Sequence, residues 1–196
     1  MSKDELQKCH DGENFISNAP EIISMIKNAR RLTRMYNSSE YDAVDVRQSI
    51  LKSLLGAVGK NVLIDTPFHC DYGKNIFLGD NIIININCTF IDCNKIVIGD
   101  NTLIASNVQL YTAAHPVKAG ERLVEGWHPS MPRPFFHTYA RPISIGENVW
   151  IGGGVIILPG VTIGRGSVIG AGSVVTQDIP PGCLAIGNPC RAVKDL

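Results

Sequence analysis

The sequence has no imbalance of charge: 18 Lys and Arg are matched by 18 Asp and Glu in 196 residues. No basic stripe or arm occurs, which argues against nucleic acid as a partner and against a polybasic membrane anchor. The opening residues, MSKDELQKCHDGENF, lack the apolar stretch of a secretory signal. No run approaches the roughly 18 apolar residues that a membrane span needs. The expectation is a cytoplasmic protein with no membrane partner. Cysteine is present but unpatterned: Cys9, Cys70, Cys88, Cys93, Cys183 and Cys190 contain no C-x-x-C pair and no zinc-like spacing. In a reducing compartment such thiols serve as small buried hydrophobes. Histidine is sparse, with His10, His69, His115, His128 and His137. Hydrophobic residues reach 44%, so a packed core is expected and disorder is not. The length suits one domain with at most a small appendage.

Two regions differ in period. Residues 1–56 read as a helical cap. Asn18-Ala19-Pro20-Glu21 resembles a helix start, with a capping side chain and Pro in the first turn. Ile22, Ile23, Ile26, Ala29 and Thr33 follow at helical spacing. A second helix is expected from about Asp42 to Leu55, its apolar face made by Ile50, Leu51, Leu54 and Leu55, with Gly56 as the stop.

Residues 57–196 follow a period of six. Ile145, Ile151, Ile157, Ile163, Ile169 and Val175 head the hexads IGENVW, IGGGVI, ILPGVT, IGRGSV, IGAGSV and VTQDIP. The fifth position of the first five is Val, Val, Val, Ser, Ser, always small. Leu78, Ile84 and Phe90 form an earlier register, and Ile98, Ile104 and Leu110 another. These two are offset by two residues, which a small bulge at Asp92–Lys95 absorbs. A short strand plus a turn needs about six residues, and one aliphatic side chain per hexad then stacks on its equivalent one coil away. Hairpin turns and two-residue alternation, the marks of a β-sandwich, are absent. The fold class expected is therefore mainly β, a β-helix with an N-terminal helical cap.

The repeat stops at about residues 112–142. Gly120, Pro129, Pro132, Pro134 and Pro142 break the pattern, and Trp127, Phe135, Phe136 and Tyr139 lie among them. A long insertion in a compact domain is commonly functional. Its aromatics suit a docked lid or an acceptor-site wall, and equally an oligomer contact. His115 stands at the exit from the repeat into this loop, where a base on a rigid scaffold meets a variable segment. Position alone favours a structural histidine over a base.

The hexads, together with CDYGKNI (70–76), NINCTFID (85–92), YTAAHPV (111–117), NVWIGGGVIILPGVTIG (148–164), IGAGSVVTQDIP (169–180) and AIGNPCR (185–191), resemble the maltose and galactoside O-acetyltransferase family of hexapeptide-repeat acyltransferases. The resemblance runs over nearly the whole chain, cap included. It implies a left-handed parallel β-helix and a homotrimer with active sites between subunits. It also implies transfer of acetyl from acetyl-CoA to a hydroxyl of a sugar, maltose- or glucose-like or a galactoside, with no metal required.

The resemblance also implies roles. His115 matches the general base, a task that suits a neutral imidazole near pH 7. Asn85 matches the residue that orients groups at the reacting centre and stabilises the transition state. Asp71 and Asp92 match acidic positions of the acceptor pocket, with Asn85 beside them, and a turn-capping role for both Asp residues stays open. Trp150, Gly153, Ala171, Thr176 and Arg191 match coenzyme A contacts. Lys194 stands near Arg191 for phosphate pairing, and Gln177 replaces a lysine common at its position. Small residues at Gly152, Gly153, Gly170 and Ala171 let a pantetheine arm approach the backbone.

Three departures bear on the acceptor. Cys93 replaces a second Asp of galactoside-type members, Asp71 replaces a pocket Ser, and no acid stands near Ser17 or Asn18. They favour a maltose-like or other acceptor. Three rival readings share the scaffold. A xenobiotic acetyltransferase fits the cap less well. A zinc carbonic anhydrase of β-helix type needs a close histidine pair, and Gly120 stands where its second member would be. The third is a non-catalytic scaffold.

Overall fold

The computed structural model describes residues 3–196. Three helices, α1 (Glu5–His10), α2 (Pro20–Asn37) and α3 (Val44–Leu54), precede a parallel β-helix with three faces. The first face stacks Ala57–Val58, Ile76–Leu78, Ile96–Ile98, Ile143–Ile145 and Thr162–Ile163. The second stacks Leu63–Ile64, Ile83–Ile84, Leu103–Ile104, Trp150–Ile151, Val168–Ile169 and Cys183–Gly187, and Cys190–Asp195 closes it antiparallel. The third stacks Phe68–Cys70, Cys88–Ile91, Gln109–Tyr111, Ile156–Ile157 and Val174–Val175.

The residues that head the hexads pair with one another in register. Ile64, Ile84, Ile104, Ile151, Ile169 and Ala185 form one inward ladder, each buried. Cys70, Phe90, Leu110, Ile157 and Val175 form a second, and Val58, Leu78, Ile98, Ile145 and Ile163 a third. The small fifth positions, Val149, Val155, Val161, Ser167 and Ser173, also point inward and are buried. The two serines satisfy their hydroxyls on Pro180 O at 2.7 Å and Gly170 O at 2.6 Å.

The chain turns between faces at three corners. The A corners lead from the first face to the second, the B corners from the second to the third, and the C corners back to the first. Turns at the A corners, and at the B corners after the first, use the left-handed backbone region, supplied by Asn in the early coils and Gly in the later ones. Asn61, Asn81, Asn101 and Asn148 stand above one another with φ between 54° and 58°. Their carboxamides form a hydrogen-bonded ladder at 2.9, 2.9 and 3.2 Å.

Coil length explains the register shift. Val58, Leu78 and Ile98 pair at intervals of twenty residues, and Ile145 and Ile163 at eighteen. The surplus sits at the C corners, at 71–75 and 92–95. The second is the bulge the sequence predicts; the first follows the heads Val58, Ile64 and Cys70, a register that the sequence reading does not pick out. The insertion at 112–142 leaves the third C corner, directly above these two.

The helices close the open end of the solenoid. Ala29, Leu32, Tyr36, Ile50, Leu51 and Leu54 join one continuous core with the first coil. A first coil has no neighbour below, so its backbone groups need other partners. Asn37 supplies two, donating to Phe68 O at 2.9 Å and accepting from Phe68 N at 3.0 Å. Tyr36 Oη and Arg47 Nη2 both donate to Ile64 O, at 2.6 and 2.9 Å.

Three local expectations change. Helix α2 starts on Ala19 as N-cap with no side-chain hydrogen bond, and Pro20 alone marks the start. Gly56 is no left-handed helix stop. A Cβ there would lie 2.5 Å from Lys74 O and 2.9 Å from the Phe77 ring, so the residue is small for packing. Helix α1, capped by Asp4 on Gln7 N, has no counterpart in the sequence reading.

Replacing Asn37 by Ala strands two buried backbone groups of Phe68. The expected loss is about 2–4 kcal/mol by urea unfolding, whereas Ser53→Ala, on the exposed side of α3, stays within about 0.5 kcal/mol.

Candidate active site

The third C corner opens into an ordered hairpin. Ala113–Ala114 pairs antiparallel with Tyr139–Ala140, and an isolated bridge joins Leu123 to Phe136. Phe15, ahead of α2, bridges Thr138 and ties the hairpin base to the cap. Arg122 Nη1 donates to Pro116 O at 3.1 Å and Val117 O at 2.7 Å, bracing the turn that follows His115. Trp127, Phe135 and Phe136 pack edge-on along the hairpin. His115 packs edge-on against Phe136, ring centres 5.0 Å apart, and the two line a cleft of about 320 Å³ with Arg122, Leu123 and Phe135.

The hydrogen bond of His115 decides its tautomer. Nδ1 lies 2.8 Å from His137 O. A carbonyl oxygen only accepts, so Nδ1 carries the proton and Nε2 carries the lone pair. The imidazole is solvent-exposed.

Asn85 sits at the B corner of the second coil, exposed. Its Oδ1 accepts from Ile86 N at 2.7 Å and Ser106 Oγ at 3.0 Å. The carbonyl end is thereby occupied and the amide N–H₂ faces outward as a donor. Asn85 and His115 belong to different corners. The B corner and the third-face strand Cys88–Ile91 together separate Asn85 from Ile91, roughly 15–20 Å at about 3.3 Å per residue. The cleft around His115 does not include Asn85.

The two aspartates divide. Asp71, at the first C corner, is partly exposed and pairs with Arg30 Nη2 at 2.8 Å. Asp92, one coil above it, is fully buried. Its Oδ1 accepts from Asp71 N and Tyr72 N at 2.9 and 2.8 Å, and Oδ2 from Asn75 N at 3.3 Å. Burial outweighs these bonds and pushes its carboxyl up to about 7. Asp92 therefore builds the corner and does not line an acceptor pocket, a correction to its place in the expected site. Cys93 is buried as well, its Sγ 4.0 Å from Asp71 Oδ2.

The remaining candidates lie on the C-terminal coils. Trp150 projects from the second face, 54% exposed. Gly153 and Ala171 stand at successive B corners and Thr176 and Gln177 at a C corner, the last three exposed. Arg191 and Lys194 are exposed on the closing strand, opposite Ile186 and Leu184. The glycines differ in why they are glycine. A Cβ on Gly152 would lie 2.6 Å from Ala171 N, so coil stacking alone requires it. A Cβ on Gly153 would meet nothing closer than Ser106 O at 3.4 Å, so the fold leaves that space open. Among the described residues no group of three His, Cys, Asp or Glu side chains is placed to hold a metal ion. No described helix is long and apolar enough to cross a membrane.

A helix-capped solenoid of six-residue repeats, broken by one loop beside a histidine, is the architecture of the hexapeptide-repeat transferases. Family models agree: residues 142–177 match the bacterial transferase hexapeptide, and residues 8–59 match the maltose acetyltransferase hexapeptide capping motif. The chain is 44% identical to the galactoside O-acetyltransferase of Escherichia coli over 172 residues, 87% of this chain and 79% of that protein. Maltose O-acetyltransferase from Clostridium difficile superposes with a TM-score of 0.90 at 43% identity, over 100% of this chain and 99% of that one. A galactoside acetyltransferase in complex with coenzyme A superposes with a TM-score of 0.89 at 38% identity, over 99% and 92%. The chain belongs to the maltose and galactoside O-acetyltransferase family and is an acyltransferase.

The two adjacent glycines make a paired test. Gly152→Ala forces backbone apart and should lower the thermal midpoint by several degrees, equivalent to about 1–3 kcal/mol. Gly153→Ala should unfold within about 2 °C of wild type.

Proposed function

We propose that the protein transfers acetyl from acetyl-CoA to a hydroxyl of a sugar acceptor, maltose- or glucose-like or a galactoside, with His115 as general base. The observation that carries this reading is the His137 carbonyl on His115 Nδ1, which in the neutral ring puts the proton on Nδ1 and the lone pair on Nε2. Nε2 takes the acceptor's proton as its oxygen attacks the thioester carbonyl. The C–O bond forms, negative charge collects on the carbonyl oxygen, and the C–S bond then breaks. The imidazolium returns the proton to the departing sulfur, so coenzyme A leaves as the thiol. The outward amide of Asn85 suits the charged oxygen, because its own carbonyl is already engaged.

Asp71, with Asn85, is assigned to the acceptor. Coenzyme A is assigned to the C-terminal coils. Trp150, Ala171, Thr176 and Gln177 flank it, Gly153 leaves it room, and Arg191 and Lys194 meet its phosphates.

The separation of Asn85 from His115 supports a homotrimer. One acetyl group cannot touch two corners of the same coil stack, but the C corner of one chain can meet the B corner of another. The second face offers a surface for this. Leu63, Ile83, Leu103 and Trp150 stand in register on its outside, each 40–54% exposed.

His115→Ala should lower kcat by a factor on the order of 10²–10⁴. Asn85→Ala should lower it by about 10–10³. Both should bind coenzyme A with unchanged affinity by calorimetry, whereas Gly153→Leu, folded but filled, should bind it at least roughly tenfold more weakly. Thiol release from acetyl-CoA with a panel of maltose, glucose and galactosides measures the rates. Activity unaffected by His115→Ala would remove the base from this scheme.

A further inference from the structure

We propose that Arg30 is a positioning residue for the acceptor: it clamps one oxygen of Asp71 so that the other is presented, ionised, to an acceptor hydroxyl. The inference rests on the assignment of Asp71 to the acceptor site and extends it to a residue of the cap.

The geometry is a fork. Arg30 Nη2 donates to Asp71 Oδ1 at 2.8 Å, and Nη1 donates to Cys70 O at 3.1 Å. The guanidinium is thus held at two points of consecutive residues, which a lysine cannot match. Asp71 N donates to Asp92 Oδ1 at 2.9 Å, so the carboxylate is fixed from its backbone as well. With Oδ1 engaged, Oδ2 has Cys93 Sγ at 4.0 Å as its neighbour, a weak donor at long range. It is the oxygen left to accept from a ligand.

Stability does not explain the pair. Its side chains are 56% and 21% exposed, and an ion pair so placed contributes little to folding. Other ion pairs of the cap, Lys8–Glu5 and Lys3–Asp11, join residues within it. Arg30–Asp71 instead ties helix α2 to the C corner two coils below His115, about 10 Å at the usual strand spacing.

The charges around Asp71 agree. Arg30 faces it from α2, Asp92 and Cys93 from the next coil, and Cys70 and Tyr72 flank it in the chain. Burial pushes the Cys70 thiol up to about 12 and raises the Cys93 thiol and the Tyr72 hydroxyl, which stay neutral near pH 7. Burial also raises the Asp71 carboxyl, and the charge and hydrogen bond of Arg30 oppose this. Without Arg30 the carboxyl protonates at higher pH, and a protonated carboxyl is a poorer acceptor.

The test uses steady-state kinetics with whichever of maltose, glucose and methyl galactoside the wild type acetylates fastest. Arg30→Gln should raise the acceptor KM by roughly tenfold, with the KM for acetyl-CoA, kcat and the thermal midpoint unchanged. The acid-side rise of the acceptor KM should begin at higher pH. Arg30→Lys should restore that profile and recover part of the KM. Asp71→Asn should raise the KM and flatten its acid-side rise, and adding Arg30→Gln to it should cost nothing more. An unchanged KM and pH profile in Arg30→Gln, beside an impaired Asp71→Asn, overturns the role of Arg30 and leaves Asp71 in place. If Asp71→Asn is also unimpaired, the acceptor assignment falls and this inference with it. A loss shared by acetyl-CoA, or a lowered thermal midpoint, also overturns it.

Discussion

The coil-to-coil register carries the rest of the structure. Each inward side chain stacks on the same kind of side chain one coil away, and each strand hydrogen-bonds to the coils above and below. A shift of one residue in any coil would turn the ladder of Ile84, Ile104 and Ile151 outward. Nothing on the faces can therefore vary much. Variation is confined to the corners, where the chain has already left the ladder, and to the two ends, where neighbours run out. The candidate functional groups follow that division. His115, Asp71 and Asn85 are corner residues, the cap serves one end, and Arg191 and Lys194 ride on the strand that closes the second face.

This constraint also separates what the sequence declares from what it conceals. The six-residue period is visible because the register demands aliphatic residues at fixed intervals, and the insertion is visible as the place where they stop. The shift at Asp92–Lys95 is legible for the same reason. Asp92 is harder. An aspartate at a corner reads alike whether its carboxylate turns out to solvent or in under the backbone, and only the three N–H groups aimed at it decide. Asn37 conceals its work too, since its partners on Phe68 are distant in the chain. Gly152 and Gly153 are indistinguishable as letters, yet one is small because the next coil presses on it and the other is not pressed at all. Helix α1 is a single capped turn and a half, too short for a period to emerge.

The corners also shape the chemistry. A solenoid of this kind holds groups rigidly but far apart, so His115 as the proposed base and Asn85 as the proposed oxyanion donor cannot serve one reacting carbonyl within one chain. The exposed ladder on the second face and the hairpin braced at the third C corner are the features on which the proposed assembly of chains rests.

The most direct test of this account is subunit complementation. His115→Ala and Asn85→Ala chains, each impaired alone, are co-expressed with different tags, and the mixed assemblies are isolated by tandem affinity and assayed for acetyl transfer. A site shared between chains predicts that mixed assemblies regain a substantial fraction of wild-type kcat, because one interface then pairs an intact His115 with an intact Asn85. Mixed assemblies as impaired as their parents would contradict it and place both groups on one chain.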